Sequence, residues 1–168
     1  MNEFIRLLAD GLMVPAVLIA AYALIVKVPN AKKIKAYSNI VVAGLITLLS
    51  AKLLASVWQP SEARPFELMG LEPGATFLPN AGFPSDHALF AAFLAITVLL
   101  VARQKKLGVV MIVLALLICL GRVLALVHSP LDVVGGVALA CFGALWYLQY
   151  DAAYVKTIFR FKRKNVVQ

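Results

Sequence analysis

Five stretches of the chain are apolar on every face. They run approximately over residues 11–27, 37–57, 84–103, 107–127 and 131–150. Each is near the roughly 20 residues a helix needs to cross a bilayer. The first is short and holds Pro15, so its limits are the least sharply drawn. Before it, Phe4, Ile5, Leu7 and Leu8 give residues 2–10 one apolar side, which predicts a brief interfacial helix. The opening "MNEFIRLLAD" carries two acids and one base where a signal peptide has a basic region, so the run from Gly11 reads as a retained span. The pattern predicts an all-α fold, an integral membrane bundle of about five transmembrane helices. At 168 residues it makes one domain, 1–168.

Composition agrees with that pattern. Apolar residues make up 62% of the chain, against about 45–50% in soluble domains. The net charge of +8 lies mainly in the connections and the tail, which argues for membrane topology and against nucleic acid as a partner. "KVPNAKKIK" (27–35) holds four lysines, "RQKK" (103–106) three basic residues and "KTIFRFKRK" (156–164) five. With five spans all three fall on one side, giving N-terminus out and C-terminus in. Cys119 and Cys141 lie inside apolar runs and read as small buried side chains, with no metal-ligand spacing and no disulfide framework.

The outer side receives a connection of about 26 residues, Trp58 to Phe83, with Pro60, Pro65, Pro73 and Pro79. Loops this long are usually functional or disordered, and the prolines favour a lid or a site wall. The unusual polar residues gather on the same side. Arg64 follows the second span, and Ser85, Asp86 and His87 open the third. Arg122 nears the end of the fourth, while His128 and Asp132 flank the start of the fifth. Ionisable groups at a membrane boundary are costly and often functional. Two arginines and two helix N-termini suit an anion such as phosphate. Two histidines supply a nucleophile and an acid, and an aspartate can hold one of them in place. With no cluster of carboxylates to hold metal, the pattern predicts phosphoryl transfer to water without a cofactor. Ser129 is placed to cap the fifth helix, with Pro130 in its first turn.

The stretches "PSDH" (84–87) and "GRVLALVHSPLD" (121–132) resemble the second and third signatures of the type 2 phosphatidic acid phosphatase family. Arg122, His128 and Asp132 keep the family's spacing, with Gly121 in place of its usual serine. Asp86 replaces a glycine, as in the branch that resembles bacterial undecaprenyl-diphosphatases of the bacitracin-resistance type. "ARPF" (63–66) resembles the end of the first signature, but Val57 stands where that signature has a lysine. Lys52 is the nearest candidate for the missing cation. The matched motifs cover residues 52–136.

The resemblance implies that His128 attacks phosphorus and that Asp132 orients it. His87 would protonate the leaving oxygen, while Arg64, Arg122 and Ser85 bind phosphate oxygens. Asp86 would point outward or pair with a basic residue. The implied substrate is undecaprenyl diphosphate, hydrolysed at the outer face of a bacterial inner membrane. A phosphatidate or phosphatidylglycerophosphate phosphatase is the same-chemistry alternative. A transporter or a non-catalytic interaction subunit is the alternative from another class. The polar groups sit at one boundary and not at the midplane, which disfavours transport.

Overall fold

A computed structural model describes residues 3–61, 63–80 and 82–150, and among these the regular structure is entirely helical. The elements are α1 (Glu3–Lys27), α2 (Asn30–Val57), α3 (Pro65–Leu68), α4 (Asp86–Leu100), α5 (Lys105–Leu124), α6 (Pro130–Ala144) and α7 (Tyr147–Tyr150). Glu62 and the basic tail over 156–164 lie outside the described residues. Helices α1, α2 and α5, and the run Pro130–Gln149, are long and apolar enough to cross a membrane. The chain is a multi-pass membrane protein with an all-α bundle.

Two expectations need correcting. Of the interfacial helix expected over residues 2–10, the described part, 3–10, is not separate, because α1 is continuous from Glu3. It passes through two π-helical segments, Leu7–Gly11 and Ala23–Lys27, the first marked by Leu12 N–H donating to Leu7 O at 3.0 Å. A helix can carry ionisable residues into a bundle when a neighbour supplies their partners, and Asp10 finds one in α5. The segment over 84–103 is also shorter than expected. Its helix has 15 residues, about 22 Å at 1.5 Å per residue, against roughly 30 Å of hydrocarbon. Ser85 caps its start, and Arg103 at φ 57° lies just beyond its end.

Packing explains why a short helix serves there. Helix α4 is the central element and buries residues on every side, from Ala88 and Leu89 to Val98 and Leu100. It lies against α1, α5 and α6, so its neighbours meet the lipid in its place. The interior is rich in alanine, with Ala16, Ala20, Ala43, Ala91, Ala95 and Ala140 all buried. Small residues let membrane helices approach where no hydrophobic effect drives them together. The large apolar side chains point out instead, among them Leu18, Leu49, Leu53, Leu116 and Val134. Cys119 is buried as expected, but Cys141 is exposed on such an outer face.

The two ends of the bundle differ. Lys27, Lys32, Arg103 and Gln104 line a cavity of about 230 Å³ at one end. The first turns of α4 and α6 and the last turn of α5 lie at the other. Gly136 of α6 makes this second end compact, since a Cβ there would come within 2.6 Å of Ser85 O. The backbone at Ser85 therefore lies directly on α6, where Ser85 N–H donates to Asp132 O at 2.9 Å.

Candidate active site

Each helix end brings its side chain to the site through a local rule. Pro130 occupies the first turn of α6, and Ser129 is its N-cap. The cap is reciprocal: Asp132 N–H donates to Ser129 Oγ at 3.2 Å, and Ser129 N–H donates to Asp132 Oδ2 at 2.7 Å. Asp132 is thereby fixed one turn beyond His128, and its Oδ2 lies 3.7 Å from His128 Nδ1. At that distance the contact is electrostatic, and His128 Nδ1 is buried without a hydrogen-bond partner. Ser85 caps α4, accepting weakly from Ala88 N–H at 3.5 Å, and its side chain is fully buried. His87 follows in the first turn.

Arg64 and Arg122 are almost completely enclosed, at 3% and 1% exposure. Arg64 donates through Nη1 to the Val127 carbonyl and through Nη2 to Leu78 O at 3.0 Å and Asn80 Oδ1 at 2.7 Å. Its guanidinium lies over the Phe77 ring, 5.2 Å from the centroid. Arg122 donates through Nη1 to Asp10 Oδ1 at 2.7 Å. Removing one partner of a buried pair typically costs about 3–5 kcal/mol, and Asp10 keeps 20% exposure, which moves the cost toward the lower figure. The Nε atoms of both arginines are buried with no partner.

These side chains meet at one cavity of about 170 Å³. Arg64, Arg122, His87 and His128 line it, with Asp86, Asn80 and the loop over 76–78 completing the wall. Asp132 stands behind His128, and Ser85 lies beneath the first turn of α4. Lys52 is not at this cavity. It lines an adjoining one of about 300 Å³ with Gln59 and Phe83, and the two cavities share Asn80, Gly82, Pro84 and Asp86. Lys52 Nζ lies 3.9 Å from Asp86 Oδ1, with both side chains well exposed. Asp86 therefore has the basic partner anticipated for it.

Burial sets the electrostatics. It pulls the His128 imidazole below its ordinary value, with Asp132 opposing and Arg122 and Arg64 reinforcing the fall. Burial also pulls the Arg64 guanidinium down, against Asp132, Glu67 and Asp86. The balance favours an uncharged His128, the state a nitrogen nucleophile requires. Among the described residues no group of three or more His, Cys, Asp or Glu side chains is placed to hold a metal ion.

Two residues of this site were not singled out from the sequence. In the sequence Asp10 is one of two acids in the opening "MNEFIRLLAD". The signal that marks it is a lone carboxylate at the edge of an apolar run. Asn80 lies in the long connection, where its Oδ1 accepts from Arg64 Nη2 and from Gly82 N–H. Nothing in its local sequence distinguishes it.

A membrane helical bundle with paired histidines and arginines at one end has the parts of a lipid phosphatase. The chain belongs to the PAP2 superfamily, whose match covers residues 35–156. It is 30% identical to the undecaprenyl-diphosphatase BcrC of Bacillus subtilis (strain 168) over 139 residues, 79% of this chain and 69% of that one. No solved structure matches it.

Proposed function

We propose that the protein is an undecaprenyl-diphosphate phosphatase that needs no metal and works through a phosphohistidine. The observation that carries this reading is the convergence of both histidines of the chain with Arg64 and Arg122 on one cavity. In the first step, His128 attacks the terminal phosphorus through Nε2, since Nδ1 faces Asp132. The bond to the leaving oxygen breaks, its electron pair stays on that oxygen, and His87 supplies a proton. In the second step, His87 takes a proton from water and the water oxygen attacks phosphorus. The P–N bond then breaks, its pair returns to His128, and inorganic phosphate leaves. Arg64, Arg122 and the first turn of α4, which Ser85 caps from beneath, hold the phosphoryl oxygens.

The diphosphate is favoured by the adjoining cavity, which shares Asn80, Gly82, Pro84 and Asp86 with the first and adds Lys52 as a further cation. The relative in Bacillus subtilis, named an undecaprenyl-diphosphatase, supports the same substrate. The basic connections at the opposite end of the bundle support a site on the outer face of a bacterial inner membrane, N-terminus out and C-terminus in. The two arginines that line the cavity supply the positive charge a phosphoryl group needs, which supports chemistry without a metal.

The test is phosphate release by the purified protein in excess EDTA, on polyprenyl diphosphates and on phosphatidate in one detergent. Polyprenyl diphosphates should show kcat/KM at least about tenfold higher, the equivalent of one charge-assisted contact. Equal values would point to a glycerolipid phosphatase. Strict dependence on a divalent ion would overturn the proposed mechanism.

A further inference from the structure

Asp10 is the one carboxylate that reaches this site from α1. Its Oδ1 accepts from Arg122 Nη1 at 2.7 Å and lies 3.7 Å from His87 Nε2, and its Oδ2 accepts from Thr76 N–H at 2.9 Å. It does not line the reaction cavity, although all three of its neighbours do. It stands behind them, at a separate recess of about 340 Å³ formed with Glu3, Arg6, Leu7 and Gly11.

Two features of the backbone bring it there. Asp10 lies inside the π-helical segment Leu7–Gly11, where the helix takes up an extra residue. Such segments re-aim side chains and are frequent at functional sites. Gly121 then admits the segment: a Cβ at that position would lie 2.5 Å from Ala9 N and 2.8 Å from Ala9 Cα. Gly121 is the residue that stands where the family's third signature has serine. The missing side chain is replaced by the backbone of α1, one residue from the carboxylate that grips Arg122.

The site therefore contains two histidine–carboxylate pairs. His128 with Asp132 and His87 with Asp10 each have a nitrogen-to-oxygen distance of 3.7 Å. The first pair belongs to the proposed nucleophile. Arg122 stands beside the second, and its positive charge opposes the charge His87 carries while it holds a proton. A carboxylate bonded to Arg122 and facing the ring offsets that opposition and limits how the ring turns.

We infer that Asp10 is a positioning residue for proton delivery, holding His87 toward the leaving oxygen while it shares the charge of Arg122 and anchors the loop at Thr76. This rests on the proposed role of His87 as the acid. The prediction is specific to the leaving group. The dependence is graded: an oxygen that departs as a stable anion gains little from a proton, while one that departs as an alkoxide depends on it.

The test uses the full-length protein in detergent and the first turnover only, so that water attack does not enter. Leaving-group release is timed for D10N, H87A and the unaltered chain on aryl phosphates of increasing leaving-group basicity and on an alkyl phosphate. Asn keeps an acceptor for Arg122 and the size of the side chain. Thermal unfolding of each variant reports whether the bundle is intact. D10N should lose about ten- to a hundredfold on the alkyl phosphate, part of the roughly 10²–10⁴-fold that a positioned acid supplies, and less than about threefold on p-nitrophenyl phosphate. In the H87A background, D10N should not steepen the dependence further. A uniform loss across the series, or none, overturns the inference when H87A does show the steeper dependence. If H87A shows no steeper dependence, the acid role of His87 is what fails, and the inference falls with it.

Discussion

His128 Nδ1 faces Asp132 Oδ2 across 3.7 Å, and that same oxygen accepts the Ser129 N–H bond at 2.7 Å. One carboxylate therefore closes the cap of α6 and sets the electrostatics of the histidine four residues earlier.

The pH profile should record this arrangement. Attack requires an uncharged His128, so activity falls as the ring gains a proton. Burial disfavours the protonated ring, which displaces the fall in kcat/KM to below the ordinary imidazole value of about 6.5. Asp132 acts in the opposite sense. Asp132→Asn should therefore move the acid limb lower still, while plateau kcat drops by about 10²–10⁴-fold as the orienting carboxylate is lost. Rate profiles between pH 4 and 8, each variant in one detergent, provide the check. A limb that rises in the variant would contradict the assignment.

The two histidines should fail differently. His128→Ala should abolish turnover on every substrate, since the chain's other histidine, His87, faces Asp10 and not Asp132. His87→Ala should still form some phosphoenzyme from p-nitrophenyl phosphate, and that phosphoenzyme should be acid-labile and stable in base, as phosphorus–nitrogen bonds are. Trapping labelled protein from both variants separates the two roles. Ordinary turnover by His128→Ala protein would remove the nucleophile.

Orientation can be read with a thiol probe. In a background with Cys119 and Cys141 replaced by alanine, a cysteine at Leu71 should react with an impermeant reagent in intact cells. One at Lys106 should react only after the membrane is opened. The reverse result would place the site in the cytoplasm and end the outer-face reading.

The fold was legible in the sequence wherever an all-round apolar run met a clear cap. Ser129 and Pro130 marked the start of α6, and the structure begins the helix there. The long connection was recognisable as a site wall from its prolines, and its residues Phe77 and Leu78 do line the cavity. The course of α1 was not legible. The apolar side of residues 2–10 predicts a separate interfacial helix, and a π segment leaves no period in the sequence, so nothing in it turns Asp10 toward the bundle. The wall that Lys52 occupies was not legible for a related reason. Its depth along α2 suggested the phosphate site, but the direction of its side chain depends on how α2 packs, and that leads it to the adjoining cavity beside Asp86. Chain spacing told which residues sit at the same depth. It did not tell which of them share a wall.

Arg64 ties the long connection to the Val127 carbonyl, one residue before His128. The loop and the segment that carries His128 are therefore stitched by a single side chain, and Arg64 brings both a charge and a structural tie. Lysine there would keep the charge and lose the fork that reaches Val127, Leu78 and Asn80 together. Position 52 carries no such burden, because Lys52 stands at an open edge with one carboxylate near it. Tolerance to arginine–lysine exchange should accordingly differ between the two sites: at 52 it reports the charge the substrate meets, and at 64 it reports whether the site is assembled at all.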